Sequence, residues 1–183
     1  MSGCSEIEVD RPLLERLESW RGRRAVILGV GNPLKGDDAA GPLVCELLGG
    51  PLSAKVIDGG SAPENHLRPI READPEVLLI VDAVDLAGQV GQIHLLGPEQ
   101  VSRFSLSTHA LSLHLLIDLL RRENDLAVHL IGIQVRHVQL GRPLSPEVNR
   151  AAHVLANTLR EVFRPATEPR NPARAHKPRK RKG

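Results

Sequence analysis

Apolar residues fall along the chain in two rhythms. Arg24-Ala-Val-Ile-Leu-Gly-Val30 and Val77-Leu-Leu-Ile-Val-Asp82 are short runs that are apolar at almost every position. That is the pattern of strands buried on both faces of a sheet. Ala54-Lys-Val-Ile-Asp58 and Ala127–Ile133 read as further strands, and Gln92-Ile-His-Leu-Leu96 as a weaker one at an edge. Between them the spacing turns helical. A helix is predicted from Asp10, a plausible cap, through Trp20, and another from Asp38 to Leu48, with Leu43, Val44, Leu47 and Leu48 on one face. Ser61-Ala-Pro-Glu64 has the form of a capping box with proline in the first turn. Ser107 opens a long helix running to Leu120, and Ser145-Pro-Glu caps a last one ending near Phe163. Strand–helix–strand alternation at this spacing predicts an α/β fold: a mostly parallel sheet with helices on both faces, in three α/β/α layers.

Composition narrows the class without naming an activity. At 183 residues the chain fits one domain with a tail to spare. Hydrophobic residues at 41% and charged residues at 25% are ordinary for a globular protein. No apolar run approaches the roughly 20 residues needed to cross a bilayer. The first ten residues lack the basic start and apolar core of a secretory signal. Two cysteines, Cys4 and Cys45, make neither a disulfide framework nor a four-thiolate zinc site, so the expectation is a cytoplasmic protein with free thiols. Aromatics at 2%, with no tyrosine, argue against a stacking platform for nucleic acid.

Charge is concentrated at one end. Residues 164–183 hold eight Lys or Arg against one Glu and leave the rest of the chain net acidic. Four prolines and no large apolar residue in that stretch predict a disordered basic tail, since nothing there repays the entropy of ordering. The organisation read from sequence is therefore an N-terminal extension with a short helix (1–23), one α/β domain (24–163) and the tail (164–183).

The chemistry collects where the strands end. In open parallel sheets, ligands bind beyond the carboxyl ends of the strands. The first strand runs into Gly29-Val-Gly-Asn-Pro-Leu-Lys-Gly-Asp37-Asp38, the second ends at Asp58-Gly-Gly, and the third at Asp82-Ala-Val-Asp85. His109 stands in the first turn of the long helix, directly after the Ser107–Thr108 pair. Four carboxylates on one rim with that imidazole repel one another and raise one another's pKa unless a cation neutralises them. Oxygen and nitrogen donors without thiolate suit a borderline ion such as Ni²⁺ or Zn²⁺. Plainer readings stand beside this one. Asp37 serves equally as a helix cap, Asp85 as a loop residue and His109 as a structural first-turn residue. Gly29-x-Gly31 begins like a dinucleotide fingerprint, but Leu34 stands where the third glycine belongs, and carboxylates at the following helix repel a pyrophosphate. A noncatalytic nucleotide- or metal-binding module is the alternative, and an adaptor acting through its basic tail is a third reading.

The run Gly29–Gly41 closely resembles the opening motif of the [NiFe]-hydrogenase maturation proteases. Asp58-Gly-Gly-Ser-Ala-Pro-Glu-Asn65, Leu78-Leu-Ile-Val-Asp-Ala-Val-Asp85, Leu106-Ser-Thr-His109, Ile131-Gly-Ile-Gln134 and Leu144-Ser-Pro-Glu-Val148 follow in that family's order. The Pro-Glu-Asn form of the second block is nearer the hydrogenase-3 type. The resemblance implies a five-stranded sheet and an endopeptidase, usually monomeric. Its activity would remove a C-terminal extension from the hydrogenase large-subunit precursor after nickel insertion. It implies that Asp38, Asp82 and His109 contact nickel belonging to the substrate, with no metal permanently bound. Asp38 or Asp82 would activate water, and Asn32, Asp37 and Asp58 would support the site or the substrate. The first metal position, Glu in some members, is Asp38 here, one methylene shorter.

Overall fold

The computed structural model describes residue 9 and residues 11–97, 109–121 and 126–165. The capping role read for Asp10, the Ser107–Thr108 pair and nearly all of the basic tail lie outside those residues. The elements are α1 (Arg11–Glu18), β1 (Ala25–Val30), a 3-10 turn (Gly36–Ala39), α2 (Ala40–Leu47), β2 (Lys55–Gly60), a second 3-10 turn (Pro63–His66) and α3 (Leu67–Glu72). They continue with β3 (Val77–Val84), β4 (Ile93–Leu96), α4 (Ala110–Arg121), β5 (Ala127–Gln134) and α5 (Pro146–Val162). The strands form a five-stranded sheet in the order β2-β1-β3-β5-β4. β1 pairs in parallel with β2 and β3, β3 pairs in parallel with β5, and β4 runs antiparallel along the β5 edge.

The apolar runs explain the order. β1 is buried at all six positions and β3 at all eight, as interior strands must be, whereas β2 and β4 alternate with exposed or half-buried positions at the edges. Side chains alternate across the sheet with period two. Val77, Leu79 and Val81 pack on one side with Leu13, Leu17, Val44, Leu48 and the inner face of α5. Leu78, Ile80 and Val84 pack on the other with Ile70 of α3 and with Leu113, Leu116 and Leu120 of α4. Helices therefore cover both faces. The chain leaves β1 toward β2 on one side and returns to β3 on the other, so the strand order reverses at β1/β3. A crevice opens at such a point beyond the strand ends.

Several local expectations change in detail. The helix expected from Asp38 begins as the 3-10 turn, and its α-helical part starts only at Ala40. Ser61 and Glu64 form no capping box: Ala62 holds the cap position of the 3-10 turn, and no side chain bonds to that turn's start. Ser145 does stand at the N-cap of α5, but its hydroxyl makes no capping bond. It is drawn away to Asp37, as described below.

Candidate active site

Asp38 is placed by glycine. The chain leaving β1 folds back so closely on the 3-10 turn that a Cβ on Gly31 would stand 1.9 Å from the Asp38 carbonyl oxygen, and Gly31 has φ +144°. Only glycine tolerates both demands. Gly41, in the first turn of α2, lies equally close to β1: a Cβ there would come within 2.2 Å of the Val30 carbonyl oxygen. These glycines serve backbone-on-backbone packing rather than the pyrophosphate approach of a dinucleotide fold. The same turn carries two buried carboxylates at the helix entrance. Asp38 is 1% exposed, and its Oδ2 accepts the backbone N–H of Asn32 at 3.0 Å. Asn32 in turn accepts the Leu34 N–H on its own Oδ1, which fixes the loop.

Asp82 reaches the same place by alternation. It shares the parity of Leu78, Ile80 and Val84 on β3 and so projects to the α3/α4 side, fully buried. Its Oδ1 accepts the N–H of Ala83 at 2.8 Å. His109 immediately precedes α4 on that side, and its carbonyl accepts the Leu113 N–H at 3.0 Å. Its imidazole Nε2 lies 3.5 Å from Asp38 Oδ2. The imidazole pKa is raised, chiefly by the hydrogen bond to Asp38. Burial opposes the shift; the charges of Asp82 and Asp38 and a hydrogen bond with the Ser61 backbone add to it. The structure thus brings Asp38, Asp82, His109 and Asn32 to the β1/β3 crevice, with the imidazole beside Asp38 and in the field of the Asp82 charge.

That donor set has the chemistry for a borderline cation, with an acidic pair and one imidazole. Among the described residues no three His, Cys, Asp or Glu side chains are placed so that together they could hold a metal ion. An imidazole ligates only after losing its proton, so an ion arriving here competes with the protonated form that Asp38 and Asp82 favour.

The other acids part company with this group. Asp37 is fully buried but caps no helix. Its Oδ2 accepts the N–H groups of Arg136 at 2.7 Å and His137 at 3.2 Å, and its Oδ1 accepts that of Ser145 at 2.7 Å. The Ser145 hydroxyl donates to Oδ2 at 3.0 Å. Asp58, expected on the same rim, shares the parity of Val56 and turns to the α2 side of the sheet. There it is exposed and accepts the Gly60 N–H at 3.0 Å. It lines a groove of about 930 Å³ with Leu43, Cys45 and Leu52. Asp85 is a loop residue whose Oδ1 accepts the Ala87 N–H and an amide hydrogen of Gln134.

Gln134 escaped the sequence reading as an individual residue. It is 2% exposed at the end of β5; its Oε1 accepts the N–H groups of Leu86 and Gly88, and its amide donates to Asp85 and to the Val135 carbonyl. It therefore shapes the loop that follows Asp82. A buried amide closing a largely apolar strand is the signal that marks such a position.

A hydrogenase maturation protease family model, HycI, matches residues 46–161, a span that includes Asp82 and His109 and begins just after Asp38. The hydrogenase 3 maturation protease of Escherichia coli K12 is 39% identical over 137 residues, covering 73% of this chain and 87% of that protein. The crystal structure of the [NiFe] hydrogenase maturation protease HycI from Thermococcus kodakarensis superposes with a TM-score of 0.72 at 29% identity, covering 80% of this chain and 97% of that one. The solution structure of the endopeptidase HycI from Escherichia coli gives a TM-score of 0.67 at 36% identity, with 75% and 90% covered.

Proposed function

The chain belongs to the hydrogenase maturation protease family and is a peptidase, and from that premise we propose that it removes the C-terminal extension of a [NiFe]-hydrogenase large-subunit precursor after nickel insertion. The observation that carries this reading is the meeting of Asp38, Asp82 and His109 at the β1/β3 crevice. Nickel enters as part of the substrate, held by the precursor, and gives the acidic crevice a cation to recognise. Asp38 and Asp82 draw that charge in, and His109 offers its imidazole once its proton is displaced.

Cleavage then needs a water activated beside the scissile carbonyl. Asp38 or Asp82, acting as the base, takes the water proton, an aspartyl-type peptide hydrolysis. A thiol nucleophile is a poor competitor: Cys45 is buried, hydrogen-bonded to the Ile57 carbonyl, and its pKa is pushed up to about 12 by burial. That leaves almost no thiolate near neutral pH. Gln134 and Asp37 position the surrounding loops without touching the reacting atoms. We place the protein in the cytoplasm as a monomer. Among the described residues no helix is long and apolar enough to cross a membrane.

The test is to incubate the protein with nickel-loaded and nickel-free precursor and weigh the released peptide by mass spectrometry. Selective release of one C-terminal peptide from the loaded form is expected. Equal processing of both forms removes nickel as the recognition element, and no processing of either removes the assignment.

A further inference from the structure

The last described residue is Pro165, and residues 166–183 follow it. Where the chain leaves the fold is fixed. The Phe163 carbonyl, just past α5, accepts the Ser53 N–H at 2.8 Å and the Ser53 hydroxyl at 3.0 Å. Arg164 and Pro165 then line a cavity of about 310 Å³ together with Arg160, Gly49, Pro51 and Leu52. Gly49, Pro51 and Leu52 also line the groove of about 930 Å³ that continues past α2 and β2 to Asp58. The chain therefore departs at one end of an open groove.

The charges follow an order. At the exit stand two cations. Arg164 is paired with Glu161, whereas Arg160 donates to the Leu47 carbonyl and the Asn157 side chain, both neutral. Farther on, the charged residues lining the groove are Glu46 and Asp58, both exposed. Among the described residues neither has an ion-pair partner. The segment after Pro165 carries the opposite sequence of signs: Glu168 first, then Arg170 and Arg174. An extended chain covers about 3.3 Å per residue. Asp58 lies five residues beyond Ser53, and Arg170 and Arg174 lie seven and eleven beyond Phe163, so both arginines reach its level. Pro169 and Pro172 lack an N–H and interrupt any regular pairing with the free edge of β2, which leaves the groove as the place for an extended segment.

We infer that residues 166–174 occupy this groove in their own chain, with Glu168 toward Arg160 and with Arg170 and Arg174 toward Glu46 and Asp58. Arginine suits the role: its stem covers apolar wall such as Leu43 and Leu52 while its fork meets a carboxylate. The segment covers Asp58, and salt releases it, because the pairs lie near the surface. None of this depends on the proposed peptidase activity.

Limited trypsin digestion of the full chain, read by intact mass, tests the inference. Cleavage after Arg170 and Arg174 follows the population of undocked segment when opening is fast. Cleavage between 179 and 182, past the groove, is the internal reference, so the quantity read is the ratio of the two rates. Glu46→Gln/Asp58→Asn should raise that ratio about tenfold at low salt, the equivalent of about 1.4 kcal/mol. Asp58→Glu should keep the wild-type ratio, and about 1 M salt, where the Debye length is about 3 Å, should bring the wild type to the level of the double variant. Equal ratios in wild type and double variant at low salt overturn the docked segment. If the double variant does not fold, as thermal unfolding shows, a wild-type ratio indifferent to salt overturns it instead. A wild-type ratio that rises on dilution overturns the intramolecular assignment, because the segment would then lie in the groove of a second copy.

Discussion

The Asp37 carboxylate and the Ser145 backbone N–H meet at 2.7 Å across 108 residues of sequence. This bond, with three others to the same carboxylate, joins the turn before α2 to the start of α5. It also explains why Ser145 leaves its helix uncapped by its own hydroxyl, which goes to Asp37 instead. The residue beside the candidate catalytic Asp38 therefore fixes the architecture of the crevice.

Asp37→Asn should lower stability by about 2–4 kcal/mol, since an amide cannot accept on both sides and its NH₂ must face an N–H donor. Urea denaturation gives the value. Processing should fall as well, because the loop at 136–145 loses its anchor. A variant as stable as the wild type would show that water or a loop shift replaces the carboxylate.

His109→Ala and Asp82→Asn should each reduce precursor processing by more than about 100-fold, the scale on which acid–base groups act. Far-UV circular dichroism should stay unchanged, since neither side chain belongs to the two apolar clusters that hold the layers together. Mass analysis of timed digests gives the rate. Retained processing in both variants moves the chemistry elsewhere.

Much of this arrangement was legible in the sequence. The unbroken apolar runs of β1 and β3 gave away the sheet centre, because only a strand covered on both faces can be apolar throughout. Asp38 and His109 stood out because each stands where a helix begins, whereas Asp82, read as the end of its strand, lies two residues inside β3, which runs on to Val84. Asp58 was misplaced for a physical reason: ending a parallel strand fixes which end of the sheet a residue occupies, while the alternation within that strand fixes its face. β2 is an edge strand whose burial pattern, read outward from Ile57, turns Asp58 toward α2. The roles of Asp37, Ser145 and Gln134 depend on partners 108 and 48 residues away. No local spacing reveals those.

His129 sets a pH dependence. It is buried against Trp20, with ring centroids 4.6 Å apart, and its pKa falls from 6.5 to about 4, chiefly through burial and further through the charges of Arg16 and Arg121. The unfolded chain takes up this proton first. Stability from the neutral ring is therefore fully present above about pH 6.5 and is lost as the pH falls toward 4, by up to about 3 kcal/mol. Urea titrations at pH 7 and 4.5 should show a larger loss for the wild type than for His129→Leu. Parallel losses in the two proteins would place the ionisation elsewhere.

Cys45 should resist alkylation. With its pKa at about 12 instead of the ordinary 9, its thiolate is scarcer by about a thousandfold near pH 8, and burial limits access further. Iodoacetamide should label Cys45 only in denaturant, as read by peptide mass mapping that separates it from Cys4, and the native treated enzyme should still process precursor. Fast native labelling with loss of activity would revive a thiol mechanism.

Gly41 sets two effects against each other. Helix propensity alone favours Gly41→Ala by about 1 kcal/mol, because the position lies inside α2. Packing opposes it: the new Cβ would meet the Val30 carbonyl oxygen at 2.2 Å and the Val81 carbonyl oxygen at 2.5 Å, both rigid backbone of central strands. Neither can yield without moving α2 off the sheet, so the clash wins, with a net loss of about 2–3 kcal/mol. Because the 3-10 turn carrying Asp38 leads directly into α2, the displacement should also slow processing in step with the stability loss. Urea denaturation and digestion rates on the same preparation check both. An alanine variant more stable than the wild type would mean that α2 does not press against β1 as closely as these glycines require.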